Sequence, residues 1–319
     1  MSTKRVITVF GATGNQGGSV INALLASPQL SSQYAIRGIT RDPAKPSAQK
    51  LASRGVEPIK ANLDDPVSLL AAVKGVYAVF AVTNYWDSLS KATEITQGKN
   101  IVDACVSGGV KHLVWSSLPN VTKLTDGKLV HVEHFDSKAE VSQYAETQKV
   151  QSGLMVTHFM PAYFMQNIKG SVKPDESNGG VPTWSVPFSA TETHLPVLDI
   201  GSDTGKYVAG ALTLGKEADG QFIQGVSQWL TPGEVAETIT KVTGTKTVFT
   251  PSTIDQWKEH LSSMPDYIQA ELGENMILIR DYSYYGKDAP GKQAENNKYI
   301  QAVDGQKLTS FAEFVKATW

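Results

Sequence analysis

Apolar and polar positions along this chain follow one rhythm up to about residue 160 and another after it. In the first part short apolar runs alternate with stretches of helical period. Val6, Ile7, Val9 and Phe10 form a strand-like run that stops at Gly11, and helical spacing follows from Ser19 to Ala26. A second strand is predicted over 34–40, a helix over 46–54 and a third strand over 56–61. Asp65-Pro66 then reads as an N-cap followed by a first helical residue, with Leu69, Leu70 and Val73 on the buried face. Val76 to Val82 is continuously apolar, as suits a strand covered on both faces of a parallel sheet. A long helix is predicted over 88–107, with Ile95, Val102 and Val106 at helical spacing and Gly108-Gly109 as its stop. A fifth strand over 111–116, a helix over 133–149 and a sixth strand over 154–159 complete the series. This order implies an α/β fold, a Rossmann-type doubly wound parallel sheet with right-handed crossovers.

After residue 160 the alternation weakens. Proline, glycine and tryptophan are frequent between 174 and 197, which predicts irregular loops and short hairpins. Helices are predicted over 202–214, 232–242, 254–260 and 265–279. Thr231-Pro232-Gly233-Glu234 forms a capping box ahead of the second of these, and Ser310 to Glu313 caps a short last helix. No repeat or low-complexity linker separates the halves. We therefore expect a nucleotide-binding part over 1–160 and a smaller α+β part over 161–319, packed on the same sheet with some elements interleaved.

Composition narrows the function classes. A net charge of −2 argues against a broad nucleic-acid surface. The single cysteine, Cys105, excludes an internal disulfide, and there is no Cys/His cluster with metal-ligand spacing, so no metal is expected. Cys105 sits in an apolar helical pattern and reads as core filler. Lys4 and Arg5 precede an apolar run too short for a signal peptide or a membrane span, so no membrane association is expected. The expected location is cytosolic, with nuclear entry left open. Nucleophile-elbow and P-loop motifs are missing, which leaves hydrolase and NTPase readings without support.

The chemistry-bearing feature is the glycine series. Gly11, Gly14 and Gly17 lie between the first strand and a helix start, the arrangement that cradles a dinucleotide pyrophosphate. The second strand ends in Arg41, with Lys45 close behind, where NAD-preferring folds place an acid that binds the ribose hydroxyls. A guanidinium there suits a 2′-phosphate, so NADP(H) is the expected cofactor. Asn62 to Asp65 follows the third strand and could border the adenine. Short-chain dehydrogenases use a serine after the fifth strand and a Tyr-x-x-x-Lys pair on the next helix. Here Ser116 and Ser117 take the first place and Lys138 the lysine's, but His134 stands where the tyrosine belongs. His134 is a candidate proton donor, and equally a structural histidine. Tyr85 and Tyr163 could supply a phenol only if the fold brings them in. Tyr282, Tyr284 and Tyr285 read as core or subunit packing.

Residues 9–20, Thr-Arg-Asp-Pro at 40–43, Val-Thr-Asn-Tyr-Trp at 82–86, His-Phe-Asp-Ser-Lys at 134–138 and Pro-Ala-Tyr-Phe at 161–164 together resemble the NmrA-like family of atypical short-chain dehydrogenases. They are most similar to its animal and fungal NADP(H)-sensing members. The resemblance implies NADP(H) at Gly11, Ala12, Thr13, Gly14, Asn15 and Gln16, with Arg41 and Lys45. Thr83, Asn84 and Tyr85 would run along the nucleotide. Lys138 would reach the nicotinamide ribose, and Tyr163, Phe164, Met165 and Gln166 would close the site. Thr96 departs from the sensor-like pattern, which places a basic residue there. A redox sensor acting on a regulatory protein partner is the leading expectation. The alternative is an NADPH-dependent reductase of a small carbonyl, imine or enone. A homodimer is left open.

Overall fold

The computed structural model describes residues 4–319. Seven parallel strands form the central sheet: β1 (Arg5–Val9), β2 (Tyr34–Thr40), β3 (Glu57–Lys60), β4 (Ala78–Ala81), β5 (His112–Ser116), β6 (Met155–Pro161) and β7 (Phe222–Gly225). Their spatial order is β7-β6-β5-β4-β1-β2-β3. The order reverses between β1 and β4, and that switch point is where the carboxyl ends of an open sheet leave a crevice. Two apolar layers flank the sheet. Ile7, Phe80, Val114 and Phe159 face one layer, and Val79, Leu113, Trp115 and Val156 the other.

Five helices position the site: α1 (Asn15–Ala26), α2 (Lys91–Ser107), α3 (Glu133–Ser152), α4 (Ile200–Leu214) and α5 (Asp266–Tyr282). The helix expected over 88–107 is present but begins three residues later, at Lys91. A short turn covers Tyr85–Ser88, Leu89 takes a φ of +52°, and Ser90 then caps α2 through the Thr93 amide. That left-handed residue lets Tyr85 and Trp86 turn toward the crevice instead of continuing the helix. The first helical stretch ends at Ala26, and a separate one, Pro28–Gln33, follows it. Cys105 is fully buried as core filler, and burial raises its thiol pKa.

The later part of the chain reaches back into the sheet. β7 adds the outer strand beside β6, and α4 lies along α1 so closely that a Cβ on Gly205 would fall 2.1 Å from the Ser19 carbonyl oxygen. The Ser19 hydroxyl accepts from the Gly205 amide at 2.9 Å, which ties the two helices. The region expected to be loops and hairpins holds two small three-stranded sheets, in which Val181–Val186 and Leu195–Leu198 are central strands. Tyr284 and Tyr285 are buried and donate their hydroxyls to the carbonyls of Pro161 and Met160, so this cluster packs the core.

Candidate functional site

The carboxyl ends of β1, β4 and β5 open into one bent crevice. Its outer groove has a volume of about 740 Å³ and its inner cavity about 510 Å³. Gln16, Thr83, Asn84 and Phe164 border both, so the two adjoin.

The outer groove is built largely from main chain. Gly11, with a φ of +61°, turns the chain directly after β1. A Cβ on Gly17 would sit 2.3 Å from the Gly11 carbonyl oxygen, so only glycine lets α1 begin this close to the strand. α1 has no side-chain cap and no acidic residue in its first turn. The amides of Asn15, Gln16 and Gly17 find no backbone acceptor among the described residues. Unfilled donors at the positive end of a helix dipole form a seat for an anion. Arg41 and Lys45 border the far end of the groove, beside Asn62. The Arg41 side chain is 82% exposed and pairs loosely with Asp87 at 3.5 Å, which leaves it available to a second anion. A pyrophosphate seat followed by a cationic pair fits a dinucleotide carrying a 2′-phosphate.

The inner cavity is built from side chains. Lys138 comes from α3 and is buried. It forms an ion pair with Glu94 of α2, and its Nζ lies 3.3 Å from the Thr83 hydroxyl. Glu94 is fully buried and also accepts hydrogen bonds from Thr83 at 2.7 Å and from Ser137. Burial lowers the Lys138 pKa, with Glu94 opposing the shift. Such a pair is costly to break, because the surviving charge would stay buried without a partner.

One turn before Lys138, His134 is held by Glu271 of α5. Its backbone amide donates to that carboxylate at 2.8 Å, and its Nδ1 lies 2.6 Å from the same oxygen. The Tyr85 hydroxyl donates to the second oxygen at 2.7 Å. Burial and the neighbouring carboxylates raise the Tyr85 pKa, so this phenol stays protonated. Glu271 therefore accepts the Nδ1 hydrogen bond of the ring and leaves Nε2 without a partner among the described residues. His134 lines the cavity, so a proton can be held there. Tyr163 also lines it, its pKa pushed up to about 12 by burial.

The NmrA-like family model matches residues 3–315, nearly the whole chain. The chain belongs to the NmrA-like family. An NmrA-like family domain-containing oxidoreductase, ptmS of Penicillium ochrochloron, is 32% identical, the match covering 94% of this chain and 92% of that one. The oxidoreductase malD of Malbranchea aurantiaca is 29% identical, over 99% of this chain and 97% of the other. Among solved structures, NmrA, a negative transcriptional regulator in complex with NADP, superposes with a TM-score of 0.78 at 18% identity, covering 99% of this chain and 96% of that one. The NADPH-dependent quinone oxidoreductase QOR2 of Escherichia coli, complexed with NADPH, gives 0.71 at 21% identity, covering 98% and 99%. At these identities the structures establish a shared fold.

Within this NmrA-like fold the expected residues separate into three groups. Gly11, Thr13, Gly14, Asn15, Gly17, Arg41, Lys45 and Asn62 line the outer groove, and Gln16 faces both spaces. Tyr85, His134, Lys138, Tyr163 and Gln166 line the inner cavity, and Thr83, Asn84 and Phe164 face both. Ala12 and Met165 are buried in the core, so only their main chain is left to meet a ligand. Ser116 and Ser117 are fully buried too. Ser116 donates to Gln16 Oε1 at 2.8 Å, and Ser117 bonds Ser142, so neither presents a hydroxyl to the cavity. The Thr96 hydroxyl turns back to the Ala92 carbonyl on its own helix.

Glu94, Glu271, Trp257 and Asn275 escaped the sequence reading. For Glu94 a signal existed: Glu94, Gly98, Ile101, Val102 and Cys105 form one buried stripe, and an acid on such a stripe needs a partner. Glu271 lies on the corresponding stripe of α5, with Ile268, Asn275 and Met276.

Proposed function

We propose that this chain is an NADPH-dependent oxidoreductase that reduces an organic substrate held in the inner cavity. The observation that carries the reading is the adjacency of the two spaces: a groove suited to a dinucleotide shares a wall with a cavity beside Lys138 and His134. A binding protein that only reports cofactor occupancy has no need of that second space. Relatives such as ptmS, named oxidoreductases, support the same reading.

The first-turn amides of α1 hold the pyrophosphate, and Arg41 and Lys45 take the 2′-phosphate. Bound NADPH supplies a hydride. Lys138, set by Glu94 and Thr83, orients the ribose end of the site. His134, oriented by Glu271, holds a proton at Nε2 for the reduced substrate. The buried rings of Phe135 and Tyr284 make the wall beside it apolar.

A sensing role, in which NADP(H) occupancy selects a conformation that a regulatory partner recognises, is favoured by one observation. His134 replaces the usual tyrosine four residues before Lys138. For a sensor of the redox ratio, NADP+ and NADPH must bind the two conformations unequally. The test is cofactor oxidation followed by absorbance with a panel of neutral ketones, enones and quinones. Turnover that disappears in Lys138→Ala, while the variant stays folded, establishes the reductase. Tight NADPH binding with no turnover on any panel member overturns it in favour of the sensor.

A further inference from the structure

The inner cavity is larger than a small carbonyl requires, and its lining is selective. Its end at Gln16, Thr83 and Lys138 belongs to the nucleotide. The remainder is walled by Trp86, Phe135, Tyr163, Trp257 and Tyr284, with Leu118, Leu272 and Met276 filling between the rings. Apart from Lys138 and His134 no ionisable acid or base lines it. Lys138 is committed to Glu94, so no free cation is left to meet a carboxylate or phosphate on a substrate. Both buried acids behind the wall are already occupied, Glu271 by His134 and Tyr85 and Glu94 by Lys138 and Thr83.

Two polar side chains in this wall keep an atom without a partner: Gln166, whose Nε2 donates to Asp199 while its Oε1 accepts nothing, and Asn275. Asn275, on α5 one turn after Glu271, is 7% exposed, and its Nδ2 makes no hydrogen bond. A buried amide without a partner costs free energy, and a lining position gives that amide a ligand to bond instead. Aromatic walls with few unsatisfied polar atoms describe a pocket that takes a flat apolar body and orients it by hydrogen bonds, and Asn275 supplies the free donor among them.

We propose that the inner cavity selects an uncharged, planar aromatic substrate, and that the Asn275 amide is the specificity residue that hydrogen-bonds its polar group. The proposal rests on the reductase reading for its word substrate, but its test reads binding and not turnover. The NADPH-saturated protein is titrated with 2-naphthamide, 2-naphthoate and cyclohexanecarboxamide, following quenching of the tryptophans that line the cavity or calorimetric heat. 2-Naphthamide is expected to bind at least tenfold more tightly than either of the others. Asn275→Leu is expected to weaken 2-naphthamide by about threefold to tenfold, the worth of one neutral hydrogen bond, and to leave naphthalene itself unchanged. NADPH titration of the variant reports whether it is folded. Should it fail to fold, the ranking of the three ligands on the unsubstituted protein still decides. Equal or tighter binding of 2-naphthoate or cyclohexanecarboxamide overturns the proposal, as does a folded Asn275→Leu that binds 2-naphthamide normally. The expected ranking without turnover on any ketone, enone or quinone would sink the reductase and keep the pocket's selectivity. Turnover with the wrong ranking would do the reverse.

Discussion

The two ends of the crevice are made in opposite ways. The anion seat of the outer groove comes from one short stretch, residues 11–17, in which main-chain amides and glycine conformations make the site and side chains matter mainly by being absent. The inner cavity gathers side chains from α3 and α5 and from the segments that follow β4 and β6, and its residues span positions 16 to 284. A main-chain site is written in adjacent letters. A side-chain site is written only in the packing, so it can change its ligand without disturbing the fold.

The largest expected effect breaks the outer end. Gly17→Ala drives a methyl into the Gly11 carbonyl, so NADPH affinity should fall by more than about 100-fold, alongside an overpacking cost of about 1–3 kcal/mol in urea denaturation. An unchanged affinity would show that the glycine turn is not the nucleotide seat. At the junction, Lys138→Met should cut turnover by about 100-fold or more while cofactor binding falls far less. At the inner end, Glu271→Gln weakens the anchor of His134 and Tyr85 and should cost about 1.5–3 kcal/mol of stability. Its NADPH affinity should stay near that of the parent, and a large loss would mean the two ends are not separable. Arg41→Ala should narrow the preference for NADPH over NADH by about tenfold to 100-fold, measured as the ratio of the two dissociation constants.

A smaller effect should strike both ends together. His112 on β5 is buried against Thr157, and desolvation holds its pKa at about 4. Above the ordinary value of 6.5 the folded and unfolded chains are both neutral there. As pH falls from 6.5 towards 4, the unfolded chain binds a proton that the folded one refuses, so stability drops by about 3 kcal/mol in all. Urea midpoints at pH 7 and pH 4.5 should fall less in His112→Asn than in the parent, and an equal fall would remove this histidine from the acid response.

The strands and the nucleotide turn were legible because they depend on neighbours in sequence. The strand predicted over 34–40 is β2 to the residue, and the glycine spacing placed α1 correctly against the sheet. The break at Leu89 was not legible. Nothing in the polar stretch around it distinguishes a left-handed residue, and only the Ser90 cap shows afterwards why the chain restarts there. β7 escaped because Phe222 to Gly225 is short and half-polar, and its pairing with β6 is a tertiary event. Glu94 stood on an apolar stripe that could have flagged it, whereas the partners of Glu271, His134 and Tyr85, lie far away in sequence and meet it only through packing.

The late arrival of β7 sets a timetable for the nascent chain. β6 ends at Pro161, and its outer neighbour begins only at Phe222, with α4, the cover for α1, made in between. At about 5–20 residues per second, synthesis leaves that strand's edge open for roughly three to twelve seconds. An open edge is a template for pairing with another chain, so this interval is when the emerging polypeptide is most exposed to aggregation. Ribosome-stalled chains ending shortly after Pro161 should be cleaved readily by protease, and chains long enough to release β7 should resist it.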